Sequence, residues 1–290
     1  MWINFAELAP LSPKYDVVFK GIFGEEHNVH VLSDFLQVVL EPSAGKYEDI
    51  RLLDPHLLRK HKRDKLGILD LRVATKSGET IHVELQVSPS PFIWRRIEYY
   101  NAKLMANQIG VGDDYDRINR VVTILISYHD LVRETTEFLS KFIWFDPRTN
   151  VRYPGSSEIN ILEVQKAKNF IKKAGNVESS PLLNWLLFFA SETKEEFEMA
   201  AQTRQAIDDA WGVVQLLSAS EEARLLAEYE EKARRDEAAR QKEARREGKE
   251  EGIREVARNL LREKMSVESV IKFTGLPFEE VKQLAEKMEG

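Results

Sequence analysis

The chain has 290 residues, no cysteine, a hydrophobic fraction of 43% that includes 14 Phe and 5 Trp, and a formal net charge of −6. That composition can build the core of one large α/β domain, or of one domain plus an accessory part, and it excludes disulfides, Cys-ligated zinc and thiol catalysis. The negative balance argues against coating nucleic acid by bulk charge, and the lack of a leader-like N-terminus or a long apolar run predicts a soluble, cytoplasmic protein with no membrane contact.

In chain order, Ser12-Pro13 predicts a helix start, with Ser as cap and Pro in the first turn. Asp16 and Lys20 then fall one turn apart, with Phe19, Ile22 and Phe23 as core candidates. A second helix is predicted from Val29 to Leu40, where Val29, Leu32, Phe35, Leu36, Val39 and Leu40 repeat at helical spacing. Ile50 to Leu53 reads as a short strand, followed by a basic run holding Arg59, Lys60, Lys62, Arg63 and Lys65. This run is either a receiver for a DNA backbone or an ordinary solvated loop.

Ile68–Thr75 and Thr80–Val87 read as strands around the turn signal Lys76-Ser77-Gly78-Glu79. Phe92 to Ile109 reads as a helix with Ile93, Ile97, Tyr100 and Leu104 on one stripe. Val121 to Ile126 is a continuous apolar run, which suits a strand buried on both faces. Helix, helix, three strands, helix and strand make a mixed α/β layer architecture. Phe138–Phe145 and Glu158–Val164 are further strand candidates, and Leu182–Ala190, Lys194–Ala201 and Ala206–Leu217 read as helices packed on the domain.

From Glu221 to Arg258 the composition changes abruptly, to 12 acidic and 11 basic residues in 38. Pairs such as Glu231/Arg235 and Glu250/Arg254 set an acid four residues before a base, which supports an isolated helix by roughly 0.2–0.5 kcal/mol each. Without an a/d apolar seam, a solvated single helix is favoured over a coiled coil. Ser266 is placed to cap a short helix, Thr274-Gly275-Leu276-Pro277 breaks it, and another begins near Phe278, as in a helix-turn-helix. The predicted domains are therefore 1–218, a charged linker 219–258, and a small helical tail 259–290.

The chemistry gathers on the two central strands. In the second, Ile81, Val83, Leu85 and Val87 point one way and His82, Glu84 and Gln86 the other; in the first, Leu69, Leu71 and Val73 alternate with Asp70 and Arg72. A two- or four-residue loop would pair Asp70 with Leu85. The three-residue loop Lys76-Ser77-Gly78 instead pairs Thr75 with Glu79, and so Asp70 with Glu84, with Gly78 suited to the left-handed position such loops need. Two adjacent carboxylates repel unless a cation joins them, and hard oxygen ligands suit Mg²⁺, with Mn²⁺ as its substitute. The backbone carbonyl of Leu85 is a further candidate ligand. The competing account is a pair of ordinary polar residues on a solvated sheet face.

Ile68-Leu69-Asp70-Leu71 with Ile81-His82-Val83-Glu84-Leu85-Gln86 resembles the PD-(D/E)xK nuclease signature, and more narrowly the recombination-promoting nuclease and putative transposase family. Four more segments match in order. Tyr15-Asp16-Val17-Val18-Phe19-Lys20 is similar to the family's D-x-x-F-K element, and Arg96-Ile97-Glu98-Tyr99-Tyr100 to its R-x-x-Y-Y helix. Glu158–Val164 resembles its late strand, and Ala257–Leu261 with Thr274-Gly275-Leu276 its tail.

The resemblance implies a restriction-endonuclease-like mixed sheet flanked by helices, and a metal-dependent DNA endonuclease linked to recombination or transposition. Asp70 and Glu84 would hold the metal, with Asp16 a helix-borne acidic partner. Gln86 stands where the broad superfamily has Lys, so a lysine-dependent mechanism is in doubt. Lys20 is either the missing cation or half of a surface ion pair with Asp16.

Arg96, Tyr99 and Lys103 lie beside the apolar stripe, as phosphate and cleft contacts or as a solvated face, and His82 reads as structural. A second function class stays open, a nuclease-fold binding module without catalysis. In the tail, acids outnumber Lys272, Lys282 and Lys287, which favours protein pairing into a homo-oligomer over phosphate binding.

Overall fold

The computed structural model describes residues 8–41, 47–56, 69–155, 157–174 and 180–289. The basic run at 59–65 lies outside them. The chain divides into two compact units, Met1–Glu230 and Glu231–Gly290.

The first unit opens with α1 (Asp16–Phe23) and α2 (Val29–Leu40), whose apolar residues recur at helical spacing and are buried. Ser12 is not the cap of α1. Pro13 instead sits inside a turn closed by Tyr15 N–H on Ser12 O at 3.1 Å, and Tyr15 is the N-cap. The first helical N–H, that of Asp16, is taken at 2.9 Å by the Glu230 carboxylate, an acid placed where the helix dipole favours one.

Six strands follow: β1 (Ile50–Leu53), β2 (Leu71–Thr75), β3 (Thr80–Gln86), β4 (Val121–Ser127), β5 (Leu139–Phe142) and β6 (Ser157–Glu163). They form one mixed sheet in the order β1-β2-β3-β4-β6-β5, with β3-β4 and β4-β6 parallel and the other pairs antiparallel. The crossover between β3 and β4 is α3 (Ile93–Ala106), as a parallel pair requires. Every residue of β4 is buried, because helices cover both faces at the sheet centre.

On one face Leu71, Val73, Ile81, Val83, Val122 and Ile124 join the main core with α1, α2, α5 (Pro181–Ala190) and α7 (Gln205–Ser218). On the other face α3 lays Ile93 and Ile97 on Leu125 and Ile161. Two further helices complete the unit: α6 (Lys194–Ala201), held by a Thr193/Glu196 capping box, and α4 (Val164–Ala174). The sequence reading assigned no helix to α4.

The β2–β3 hairpin has the predicted register, Leu71 opposite Val83 and Ala74 opposite Thr80, with Thr75 N–H on Glu79 O at 3.0 Å. Gly78 sits in the left-handed region at φ 85°, and a Cβ there would stand 2.9 Å from Asn119 Nδ2. Gly78→Ala is therefore expected to lower stability by about 1–2 kcal/mol, read as a lower urea midpoint at unchanged slope. An unchanged midpoint would mean that the loop does not depend on this conformation.

β2 is shorter than predicted. It starts at Leu71, and a bend at Asp70 carries Leu69 out of the alternation to pack with Tyr100 and Leu104 beneath α3.

In the second unit, the end of α8 (Glu221–Arg262) packs with α9 (Val267–Thr274) and α10 (Phe278–Glu289) around Ala257, Val270 and Val281. Ser266 caps α9, its Oγ accepting from Ser269 N–H at 3.3 Å. Among the described residues, no helix is long and apolar enough to cross a membrane.

Candidate active site

The face of β3 that looks toward α3 carries His82, Glu84 and Gln86, and all three are buried. The ionisable face is thus roofed by a helix rather than solvated, so each polar group needs a partner. Glu84 Oε1 meets Arg96 Nη2 of α3 at 2.8 Å, and Glu84 Oε2 accepts from His82 Nε2 at 3.0 Å. The same Arg96 nitrogen donates to Gln86 Oε1, while Gln86 Nε2 donates to the Ser88 carbonyl. The Tyr100 ring, one turn beyond Arg96, stands edge-on to His82 at 5.8 Å.

Asp70 enters from the neighbouring strand. Extending the hairpin register by one residue sets it opposite Glu84, and its Oδ2 accepts from Leu85 N–H at 2.6 Å. Burial, and then the Glu84 charge, push the Asp70 carboxyl up to about 7 against that hydrogen bond. Asp16 adds to the rise and Lys20 opposes it, so the field of α1 also reaches Asp70. Burial and the Glu84 charge likewise push the Tyr100 hydroxyl upward.

The site residues named from sequence separate into two groups. Asp70, Glu84, Leu85, Gln86 and Arg96 meet at one place, with Asp16 and Lys20 near enough to act electrostatically. Lys20 pairs with Asp16 at 2.8 Å, both about half-exposed. Tyr99 and Lys103 stand apart on the outer side of α3, the ammonium 5.7 Å from the ring centre. His82 and Tyr100, which carried no functional assignment from sequence, are the residues packed against Glu84. Strand parity with Glu84 was the one signal for His82. For Tyr100 it was the four-residue spacing from Arg96, which puts both on one side of a helix.

Among the described residues, no three His, Asp or Glu side chains are grouped closely enough to hold a metal alone. The donor set is two carboxylates and backbone oxygen, which fits a hard divalent ion that completes its shell with water or phosphate, and does not fit zinc. Asp70 lacks a cation strong enough to hold its charge at neutral pH, and Arg96 Nε and His82 Nδ1 are buried without hydrogen-bond partners.

No curated protein and no solved structure matches the chain. A family model described as a PD-(D/E)XK nuclease family transposase matches residues 13–244, from the turn before α1 well into α8. That span takes in the whole sheet, both flanking layers and every residue of the carboxylate cluster, and the chain belongs to the PD-(D/E)XK nuclease family transposases.

Proposed function

We propose that the chain is a DNA endonuclease that hydrolyses phosphodiester bonds with Mg²⁺, Mn²⁺ serving in its place, held by Asp70, Glu84 and the Leu85 carbonyl. The observation that supports this reading is the closeness of two carboxylates at the end of the β2–β3 hairpin, Asp70 accepting from Leu85 N–H at 2.6 Å and feeling the Glu84 charge. When bound, the divalent ion supplies an activated water and stabilises charge on a phosphate oxygen. The protein's own part is electrostatic. Gln86 in place of Lys leaves β3 without a cation, and Arg96 delivers one to the same spot from α3. Its part-exposed guanidinium offers positive charge to a phosphate, and Gln86 is the positioning residue that holds the guanidinium plane. Asp16 and Lys20, already paired, tune the field from α1.

Plasmid cleavage in Mg²⁺ tests the reading. Wild type is expected to nick or linearise supercoiled DNA, and Asp70→Ala and Glu84→Ala are expected not to. Equal activity in all three would remove the site. Gln86 supports a second reading, a nuclease-fold module that binds DNA without cutting it. DNA binding by a wild type that fails to cut DNA with any of the divalent ions supplied would select that reading.

Metal affinity should follow the Asp70 proton. A carboxyl near 7 must ionise before it can ligate, so the rise in Tm produced by Mg²⁺ is expected to be several times larger at pH 8 than at pH 6. A shift independent of pH across that interval would exclude Asp70 as a ligand.

A further inference from the structure

The segment after β5 makes a short antiparallel pair, with Phe145 opposite Arg152 and Tyr153 N–H donating to Trp144 O at 2.9 Å. Trp144 and Tyr153 are therefore direct cross-strand neighbours, whose side chains leave the same face. Trp144 is 71% exposed and Tyr153 62%. Phe145, Phe142 and Trp94 of α3 are also exposed, and the Trp94 and Phe142 rings meet edge-on at 5.6 Å. Single exposed aromatics are ordinary on a protein surface; Trp144 beside Tyr153, with the Trp94–Phe142 pair on adjoining elements, marks a binding surface. Tyr153 is seated against the bare backbone of Gly155, where any Cβ would collide with its ring. Trp94 and Arg96 are two residues apart on α3 and so leave it on different sides, Arg96 toward Glu84 and Trp94 toward Phe142.

Around these rings Lys141, Arg148 and Arg152 stand against Asp146 and the buried Glu158, a small positive balance in a chain whose net charge is −6. Arg148 and Arg152 are well exposed and Lys141 is partly so. The acid nearest to Lys141 and Arg152 is Glu158, which is buried and already paired with Arg120, the residue before β4. A second copy of the same face would set these cations against one another. An apolar protein partner would have to bury them. A single strand of DNA satisfies both features at once, with bases stacked on rings and phosphates on the arginines. Duplex bases, already stacked on each other, offer no free faces to Trp144 or Tyr153.

We propose that this aromatic and basic arm binds single-stranded DNA, so that the protein engages a substrate carrying unpaired bases. The inference rests on the proposed nuclease reading for its DNA substrate. Its test is separate. Full-length protein in EDTA is titrated into a fluorescein-labelled oligothymidine of about 20 nucleotides, and into a duplex of the same length at the same salt. The double variant Trp144→Ala, Tyr153→Ala is expected to bind the single strand at least about tenfold more weakly, with duplex affinity within about twofold of wild type. Replacing both residues by Phe should retain single-strand binding. Equal single-strand affinity of wild type and the alanine variant would overturn the proposal. So would an equal loss on both probes, or a dimer in sedimentation that the alanine variant abolishes. A chain that binds single strands through Trp144 yet never cleaves keeps this inference and loses the activity. One that cleaves, and whose alanine variant binds single strands undiminished, does the reverse.

Discussion

Asp70→Asn is expected to reduce plasmid cleavage in Mg²⁺ by about 10²–10³-fold, while making the metal-free protein more stable at pH 8. The first effect follows from removing one of two charged ligands. The charge that stabilises the transition state depends on both, and losing one such interaction typically costs two to three orders of magnitude. The second follows from linkage. The folded-state carboxyl lies at about 7, above its ordinary value of 3.8, so the native state holds the proton more tightly than the unfolded chain does. That contribution to stability is fully present below 3.8 and is lost as the pH rises through 7. Above 7, folding must bury an ionised carboxylate beside Glu84.

Asparagine accepts the same Leu85 N–H bond without the charge. The gain at pH 8 should be on the order of 2 kcal/mol once solvent screening of this partly exposed group is discounted, and it should vanish near pH 4. Thermal melts in EDTA at the two pH values measure it. A variant that cuts like wild type removes Asp70 from the site, and one less stable at pH 8 removes the electrostatic account.

Trp185→Ala is expected to remove a large fraction of the protein's folding free energy and to lower its urea midpoint markedly. Trp185 is fully buried in α5, with ring centres at 5.4 Å from Phe35, 5.7 Å from Phe23 and 5.8 Å from Phe188. Truncation removes that contact surface and leaves a cavity bounded by rigid rings that cannot collapse into it, a loss of about 3–5 kcal/mol. The total stability of such a domain is only about 5–15 kcal/mol.

The indole also donates to Asp34 Oδ2 at 3.0 Å, but Asp34 keeps its ion pair with Arg204 and is not left alone by the change. Trp185→Phe should therefore cost only about 1–2 kcal/mol, the hydrogen bond plus a smaller void. Urea unfolding followed by circular dichroism separates the two variants, and similar midpoints would mean that the cluster repacks. The cluster bears on function because Phe23 anchors α1, the helix that brings Asp16 and Lys20 toward Asp70.

What could be read from the residues alone was whatever depends on near neighbours in the chain. The bounds of α2 and β1 followed from apolar spacing and from breakers beside them, and Val121–Ile126 announced its double burial by having no polar residue but Thr123. The hairpin register, Leu71 opposite Val83, was legible because Gly78 suits the left-handed position of a three-residue loop, where a two- or four-residue loop would have shifted every pair. Local signals also misled. Ser12-Pro13 looked like a cap and closes a turn, since the partner that satisfies Asp16 N–H comes from Glu230, 214 residues later. Lys-rich α4 went unassigned because its first residue, Val164, completed a strand pattern that ends one residue earlier.

By itself, then, the sequence determined the mixed α/β class, the hairpin and the facing carboxylates, all consequences of side-chain period and loop length. Only the tertiary structure decided what surrounds them. Arg96 bridges Glu84 and Gln86, His82 and Tyr100 close over Glu84, and Asp70 feels the charges of α1. Those contacts depend on how α1 and α3 settle against the two faces of the sheet. That arrangement is set by the burial of the core as a whole, which no local pattern encodes.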